Sequence, residues 1–273
     1  MQFSVLIPVY AKEKYENLEQ CLDSVINQTR KPDEIVIVKD GILPDNLEKL
    51  INKKINKHKN IEIRAHQIQK NVGVGMASNI GTKLCKHEYI ARIDSDDIAV
   101  PKRFEIQTDY LEKNKEIDIL GGYIEEYNEN MKNLISKRIV PIEDKEIKEE
   151  MTKRCAINHS TVMYKKSKIL EVGNYPDRRT MEDYELWIKC VKKGYQMHNI
   201  GVVLSKNRTG DTMYKKRTGK DYIKNIVEIE NLLYSLKMIS IFEKWYNTIL
   251  RCLVALIPLK VRRIIYIKLL RKE

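Results

Sequence analysis

Four short apolar runs, set between stretches with helical periodicity, constrain the fold more than any other feature of the chain. FSVLI (3–7), EIVIV (34–38), IEIRA (61–65) and YIARI (89–93) have the length and β-branched content of strands buried on both faces. Between the first two, Leu18, Cys21, Leu22, Val25 and Ile26 recur at three- and four-residue spacing, the apolar face of a helix that Pro32 stops. A polar helix is expected around 45–58, and NVGVGMASNIGTKLC (71–85) reads as a loop entering a helix. Strands alternating with helices of this length predict βαβ units and a doubly wound, mostly parallel sheet flanked by helices.

The second half is less regular. A helix is expected over 101–114 from Pro101, and DILGGYIEEY (118–127) starts as a strand. HSTVMYKK (159–166) alternates like a strand, and TMEDYELWIKCVKKG (180–194) has Leu186, Cys190 and Val191 on one helical face, with Gly194 as its stop. MHNIGVVL (197–204) is the last expected strand, and one helix is expected over 219–239.

In doubly wound sheets ligands bind beyond the carboxyl ends of the strands. Asp40 lies at one such end, and Asp94, Ser95, Asp96 and Asp97 lie at another, so they converge on one crevice although far apart in sequence. Three carboxylates within four positions repel unless a cation binds. Oxygen ligands without His or Cys suit Mg2+ or Mn2+, shared with a phosphate-bearing ligand. The competing reading is an acidic turn, with Asp96 or Asp97 capping the helix near Pro101. Gly73, Gly75 and Gly81 spell G-x-G-x5-G, with Ser78 where a dinucleotide fingerprint has glycine, and there is no Lys-Ser/Thr of a P-loop. These glycines serve either close approach to a ligand or a tight turn followed by a closely packed helix.

Composition excludes several classes. The five cysteines form no CxxC or Cys/His cluster, so neither a disulfide framework nor a zinc site is expected, and a reducing cytoplasmic setting is the default. MQFSVLIPVY lacks the basic start and long apolar core of a signal peptide, and no stretch has the roughly 20 apolar residues of a membrane span. The net charge of +12 is concentrated at one end: residues 201–273 hold 16 Lys/Arg against 6 Asp/Glu.

The ordered series FSVLIPVY, EIVIVKDG, NVGVGMASNIG, YIARIDSDD and MEDYELW resembles the family 2 glycosyltransferases of GT-A fold. The likeness is nearest to bacterial enzymes of capsule, exopolysaccharide or O-antigen synthesis. It extends over about residues 3–210 and includes NHSTVMYKKS (158–167) and LSKNRTGDTMYKKR (204–217). It implies an α/β, Rossmann-like fold and an inverting, metal-dependent transfer from a nucleotide sugar, UDP-linked, to a lipid-diphosphate-linked glycan acceptor. By that resemblance Pro8, Val9 and Tyr10 line the base, and Asp40 accepts the uracil N–H. Asn71 and Asn79 lie beside the donor sugar and ribose, and Arg208 lies near the diphosphate. Asp94 and Asp96 fill the DxD motif around Ser95, Asp94 towards the ribose and sugar and Asp96 on Mn2+ or Mg2+, with Asp97 as a substitute ligand. Asp183 matches the catalytic base, and Glu182 and His159 fall on the acceptor side.

There are departures. Ala11 and Lys39 replace the common Asn and Asp, and the family's late histidine ligand is missing, Asp211 being the nearest candidate. Taken without the resemblance, Asp183 and Glu182 are ordinary first-turn acids, His159 a satisfied core histidine and Trp187 core.

The tail YNTILRCLVALIPLKVRRIIYIKLLRKE (246–273) interleaves apolar residues with seven Lys/Arg, and Pro258 divides it into two short helices. Residues 1–218 are therefore expected as the catalytic domain. Residues 219–273 are expected as basic amphipathic helices on the anionic inner face of the cell membrane; the alternative is a helical pair packed on the catalytic domain. Nucleic acid is not an expected partner, because no recognised motif or aromatic-interleaved basic patch is present. The rival function is a non-catalytic nucleotide-sugar-binding protein on the same fold. A glycosidase would pair two carboxylates without a metal or a nucleotide.

Overall fold

The structure is a computed structural model that describes residues 1–210 and 218–257. The four apolar runs form β1 (Phe3–Tyr10), β2 (Glu34–Asp40), β3 (Glu62–Ile68) and β4 (Tyr89–Arg92). They are connected by α1 (Tyr15–Ile26), α2 (Asp45–Lys57) and α3 (Val74–Leu84). Then come β5 (Ile98–Ala99), α4 (Arg103–Lys113), β6 (Ile119–Tyr127), β7 (Leu134–Arg138) and α5 (Asp144–Met151). A 3-10 turn (His159–Thr161) leads into β8 (Met163–Lys165), α6 (Lys166–Glu171), α7 (Glu182–Lys193) and β9 (Met197–Arg208). Two helices, α8 (Gly219–Ser235) and α9 (Ile241–Leu256), complete the described chain.

The sheet runs β3-β2-β1-β4-β8-β6-β9-β5, with β7 added on β6. The β3-β2-β1-β4 half is parallel, and β8 joins it to the rest through antiparallel pairing on both sides. Strand order reverses at β1, whose neighbours behave differently. Pairing with β2 continues to Tyr10 opposite Asp40, whereas pairing with β4 ends at Leu6 opposite Arg92. The two strands part there, and Pro8, which has no N–H to give a ladder, falls just past the parting. That opening is the crevice a doubly wound sheet offers to ligands.

Alternate residues of β1 feed two cores, as the two-residue period of a strand requires. Phe3, Val5 and Ile7 pack with Leu18 and Leu22 of α1, Leu47 of α2 and Phe104 of α4. Leu6 belongs with Ala77 of α3, Trp187 of α7, and Ile229 and Leu233 of α8. Trp187 is fully buried, in agreement with the core reading.

Two expectations need correction. The segment expected as a strand over 159–166 is a 3-10 turn followed by the three residues of β8. Side chains take the carbonyls that a ladder would have used. Arg103 Nη1 donates to Ser160 O at 2.7 Å, Gln107 Nε2 to Thr161 O at 2.8 Å, and Asn158 Nδ2 to Gly122 O at 2.8 Å. The helix expected over 219–239 stops at Ser235; Lys237 turns left-handed, and Ser240 and Glu243 form a reciprocal capping box that starts α9. Finally, β5, β7 and α5 were not foreseen at all. Asp211, the second of the two tail helices and the rest of 258–273 lie outside the described residues.

The glycine segment takes the packing reading. Gly73 holds a φ of +90° at the start of α3. A Cβ on Gly75 would lie 2.4 Å from Pro176 O and 2.5 Å from Arg178 O, and one on Gly81 would lie 2.2 Å from Leu6 Cδ1. The helix therefore lies against the sheet on one side and against the segment that leads into α7 on the other. Because Gly75 meets backbone, which has no rotamer to yield, Gly75→Ala is expected to cost about 1–3 kcal/mol of stability. Urea unfolding followed by circular dichroism measures it, and an unchanged midpoint would contradict this packing.

Candidate active site

The carboxylate ending β2 is already occupied by its own loop. Asp40 is buried and accepts from Val72 N at 2.7 Å, Gly73 N at 3.0 Å and Asn71 Nδ2 at 2.8 Å. Asn71 in turn accepts from Arg179 Nη1 at 2.8 Å, which joins this loop to the segment before α7. Asn79 donates to Tyr175 O at 2.7 Å, while its buried Oδ1 has no partner among the described residues. Pro8 and Val9 are buried, and Tyr10 is exposed at the crevice rim.

The 94–97 loop follows β4, whose last residue, Arg92, is almost fully buried. Its Nη2 contacts Asp94 Oδ1 at 2.6 Å, and its Nε and Nη1 have no hydrogen-bond partner among the described residues. Ser95 donates to Glu13 Oε2 at 2.6 Å, so a fourth carboxylate from the loop after β1 joins the cluster. Burial, with repulsion from Asp94 and Glu13, pushes the Asp96 carboxyl up to about 7. Asp97 is also pushed well up, first by burial and then by Asp96 and Asp94. Its two oxygens accept from Asn207 Nδ2 at 2.5 Å and from Arg208 N at 3.2 Å, tying the loop to β9. The Arg208 guanidinium donates through Nη1 to Asp96 O and through Nη2 to Gln20 Oε1, while its buried Nε has no partner among the described residues.

The opposite wall is the first turn of α7. Met181 precedes it in the left-handed region, at a φ of +61°, an uncommon conformation for a residue with a Cβ. Burial and the neighbouring Asp183 raise Glu182 to about 8. Asp183 is raised by burial, against the Tyr184 N–H and the positive charges of Arg138 and Arg92. Cys155 Sγ lies 3.9 Å from Asp183 Oδ2, and Arg138 Nη2 donates to Cys155 O at 2.7 Å. His159 shares a 2.9 Å hydrogen bond with the Tyr175 hydroxyl and packs edge-on against Trp187. Burial and Arg92 depress its pKa well below the ordinary histidine value, so the ring is neutral.

The structure thus brings Asp94, Ser95, Asp96 and Arg208 together after β4 and sets Glu182 and Asp183 near enough to feel the charges of Arg92 and Asp94. Asp40 and Asn71 form a neighbouring loop anchor. Glu13, Arg92 and Arg179 were missed from sequence. Only Arg92 had a signal, a charge inside the apolar run YIARI. Among the described residues no group of three or more His, Cys, Asp or Glu is arranged to hold a metal ion. A cation placed here would find one or two carboxylates of the cluster rather than a complete protein cage, the donor set of an ion shared with a ligand's phosphates.

A model of the family described as "Glycosyl transferase family 2" matches residues 4–173. The chain is 36% identical over 266 residues to the amylovoran biosynthesis glycosyltransferase AmsE of Erwinia amylovora, covering 97% of this chain and 98% of that protein. It is 33% identical over 273 residues to the UDP-Gal:alpha-D-GlcNAc-diphosphoundecaprenol beta-1,3-galactosyltransferase of Escherichia coli, covering 99% and 97%. Among solved structures, S. aureus TarS 1-349 in complex with UDP-GlcNAc superposes with a TM-score of 0.64 at 17% identity, over 93% of this chain and 72% of that one. The mannosyltransferase PcManGT from Pyrobaculum calidifontis, in complex with GDP-Man and Mn2+, gives 0.64 at 13% identity, over 86% and 64%. At such identities these two show a shared fold, and the sequence matches carry the kinship: this chain is a member of glycosyl transferase family 2.

Proposed function

We propose that the chain is an inverting, metal-dependent glycosyltransferase that moves a sugar from a UDP-sugar to a lipid-diphosphate-linked acceptor in bacterial surface-polysaccharide synthesis. The observation that carries the reading is the pairing of two carboxylate groups across one buried cation: Arg92 contacts Asp94, and its charge also acts on Glu182 and Asp183. Kinship with a galactosyltransferase named for a UDP-sugar and a diphosphoundecaprenol acceptor supports the substrate classes.

In this reading the base packs at Pro8, Val9 and Tyr10, near the Asp40–Asn71 anchor, and Asn79 Oδ1 is free to accept from the donor's hydroxyls. Asp96 and Asp94 would hold Mn2+ or Mg2+. When bound, the ion would supply positive charge to the leaving diphosphate and offset the burial and the repulsion that raise Asp96. Asp97 keeps the loop in place from β9, and the Arg208 guanidinium, held by Asp96 O and Gln20, would add positive charge beside the diphosphate. Asp183 takes the proton of the acceptor hydroxyl as its oxygen bonds to the anomeric carbon. The bond from that carbon to the diphosphate breaks, the nucleoside diphosphate leaves with the electron pair, and in-line attack inverts the centre. Burial and the neighbouring Asp183 raise Glu182, so the two acids of this turn compete for one negative charge beside Arg92. We assign residues 1–218 to catalysis and 219–273 to attachment at the cytoplasmic face of the membrane.

Calorimetric titration of UDP is expected to show binding with Mn2+ and none with EDTA; equal binding in both would refute the shared metal site. Asp183→Asn is expected to lower transfer about 10²–10⁴-fold, the usual contribution of a general base, with UDP affinity unchanged. Asp96→Ala is expected to lower both. The base must be ionised, so activity falls as pH falls through the raised Asp183 pKa, placing the acid limb above the usual value of about 3.9. Removing a positive charge that favours the carboxylate, as in Arg138→Gln, should move that limb to still higher pH. A pH–rate profile with an unshifted limb would argue against Asp183 as the titrating group.

A further inference from the structure

The helix that ends the described chain has two faces of opposite character. On its inner side, Arg251 Nη1 lies 2.6 Å from Glu230 Oε1 of α8, and its guanidinium sits 5.3 Å from the Tyr184 ring of α7. Asn247 donates to Thr152 O at 3.3 Å. On its outer side, Phe242, Tyr246, Ile249, Leu253 and Leu256 follow at intervals of four and three, and Trp245, three residues after Phe242 and four before Ile249, widens them into one stripe along the helix. All six are exposed, Phe242 at 83% and Trp245 at 58%. A stripe of this size and aromatic content is larger than an isolated surface apolar residue requires, and it marks a surface that meets a partner.

We propose that the outer face of α9 is a docking surface for a bilayer containing anionic lipid. Two observations select this occupant. Aromatic side chains neighboured by lysine are the chemistry of the membrane interface, and the Lys244 ammonium lies 5.5 Å from the Trp245 ring at the edge of the stripe and 5.3 Å from the Tyr234 ring of α8. The charge of the region is also one-sided. Residues 201–273 carry 16 Lys/Arg against 6 Asp/Glu, and the sequence after Ile257 adds Lys260, Arg262, Arg263, Lys268, Arg271 and Lys272 against Glu273 alone. A second copy of the chain would bring two such basic regions together, whereas an anionic headgroup layer complements them.

The inner face gives the docking a direction. Arg251 packs on Tyr184, the residue after Asp183, so a bilayer against α9 lies beside the α7 wall of the crevice. This deepens the proposed transferase reading and rests on it: the acceptor enters from the lipid side, at Asp183, while the nucleotide occupies the β1–β2 side.

The chain has two tryptophans, and Trp187 is fully buried, so Trp245 reports on the stripe. Vesicles of phosphatidylglycerol and phosphatidylcholine added to the full chain are expected to shift tryptophan emission to the blue, with quenching by brominated acyl chains. Phe242→Gln combined with Leu253→Gln alters only exposed positions and keeps the reporter; it is expected to abolish the shift and to weaken co-flotation about tenfold or more. Unchanged emission with vesicles, or flotation equal in the variant, would overturn the proposal. So would emission with no acrylamide-quenchable component in the absence of lipid: Trp187 is shielded in any case, so loss of the quenchable component would mean that Trp245 and the stripe are covered by a second copy or by residues 258–273. UDP binding measured on the same samples separates the two readings: its loss in the native chain would overturn the transferase assignment alone, and its retention in the variant ties the lost flotation to the stripe.

Discussion

A single buried guanidinium organises the active crevice. Arg92 closes β4 at the point where β4 leaves β1, and it is 1% exposed. Burying a cation with two unpartnered nitrogens is costly unless negative charge surrounds it, and removing one member of a buried pair is costlier still. Asp94 answers it directly at 2.6 Å, and Glu182 and Asp183 answer it through the field. The dependence is mutual. Without Arg92, the carboxylates on both walls would have no common counter-charge, and the loop of 94–97 would lose its anchor to the strand. Arg103, also fully buried, then fixes the position of Arg92 by donating to its carbonyl at 2.8 Å and to Ser160 O at 2.7 Å.

The parallel half of the sheet was legible because its strands are buried on both faces. Such strands must be continuously apolar, and that signal survives without knowledge of their neighbours. The later half carries less of it. The two residues of β5 are too few to show a period, and α5 (DKEIKEEM) buries only Ile147 and Met151. The 3-10 turn at His159–Thr161 was misread because its alternating pattern is that of a strand, while its conformation is set by Arg103, Gln107 and Gly122 from elsewhere in the chain. Long-range hydrogen bonding of this kind leaves no local trace.

The candidate site was legible unevenly for a related reason. Asp94, Asp96 and Asp183 were visible as acids at element ends, but their partners decide what each is free to do. Asp97 looks equivalent to Asp96 in sequence, yet Asn207 and Arg208 take both of its oxygens. Asp40 likewise reads as a free carboxylate at a strand end, and three donors of the 71–73 loop hold it. Glu13, whose charge helps to raise Asp96, sits in a loop with no periodicity to mark it. The glycines Gly73, Gly75 and Gly81 have the spacing of a ligand cradle, and all three are required by backbone conformation or packing.

The two C-terminal helices show how far a sequence-based boundary can stand from a structural one. The expected division near residue 218 follows the end of the family resemblance and the basic, apolar-interleaved sequence of 246–273. Burial places none: Ile229 and Leu233 of α8 belong to the same core as Trp187 and Leu186 of α7. Glu230 is fully buried and held by Arg251 and Asn247 of α9, so α9 is locked to α8 by a polar contact inside an apolar interface. A pair fixed in this way moves with the α7 wall rather than on a tether. The packed-pair reading therefore describes the inner face of these helices, and the proposed membrane attachment would use the outer one. One face carries the ion pair and the contact to Tyr184, and the other leaves its aromatic side chains in solvent.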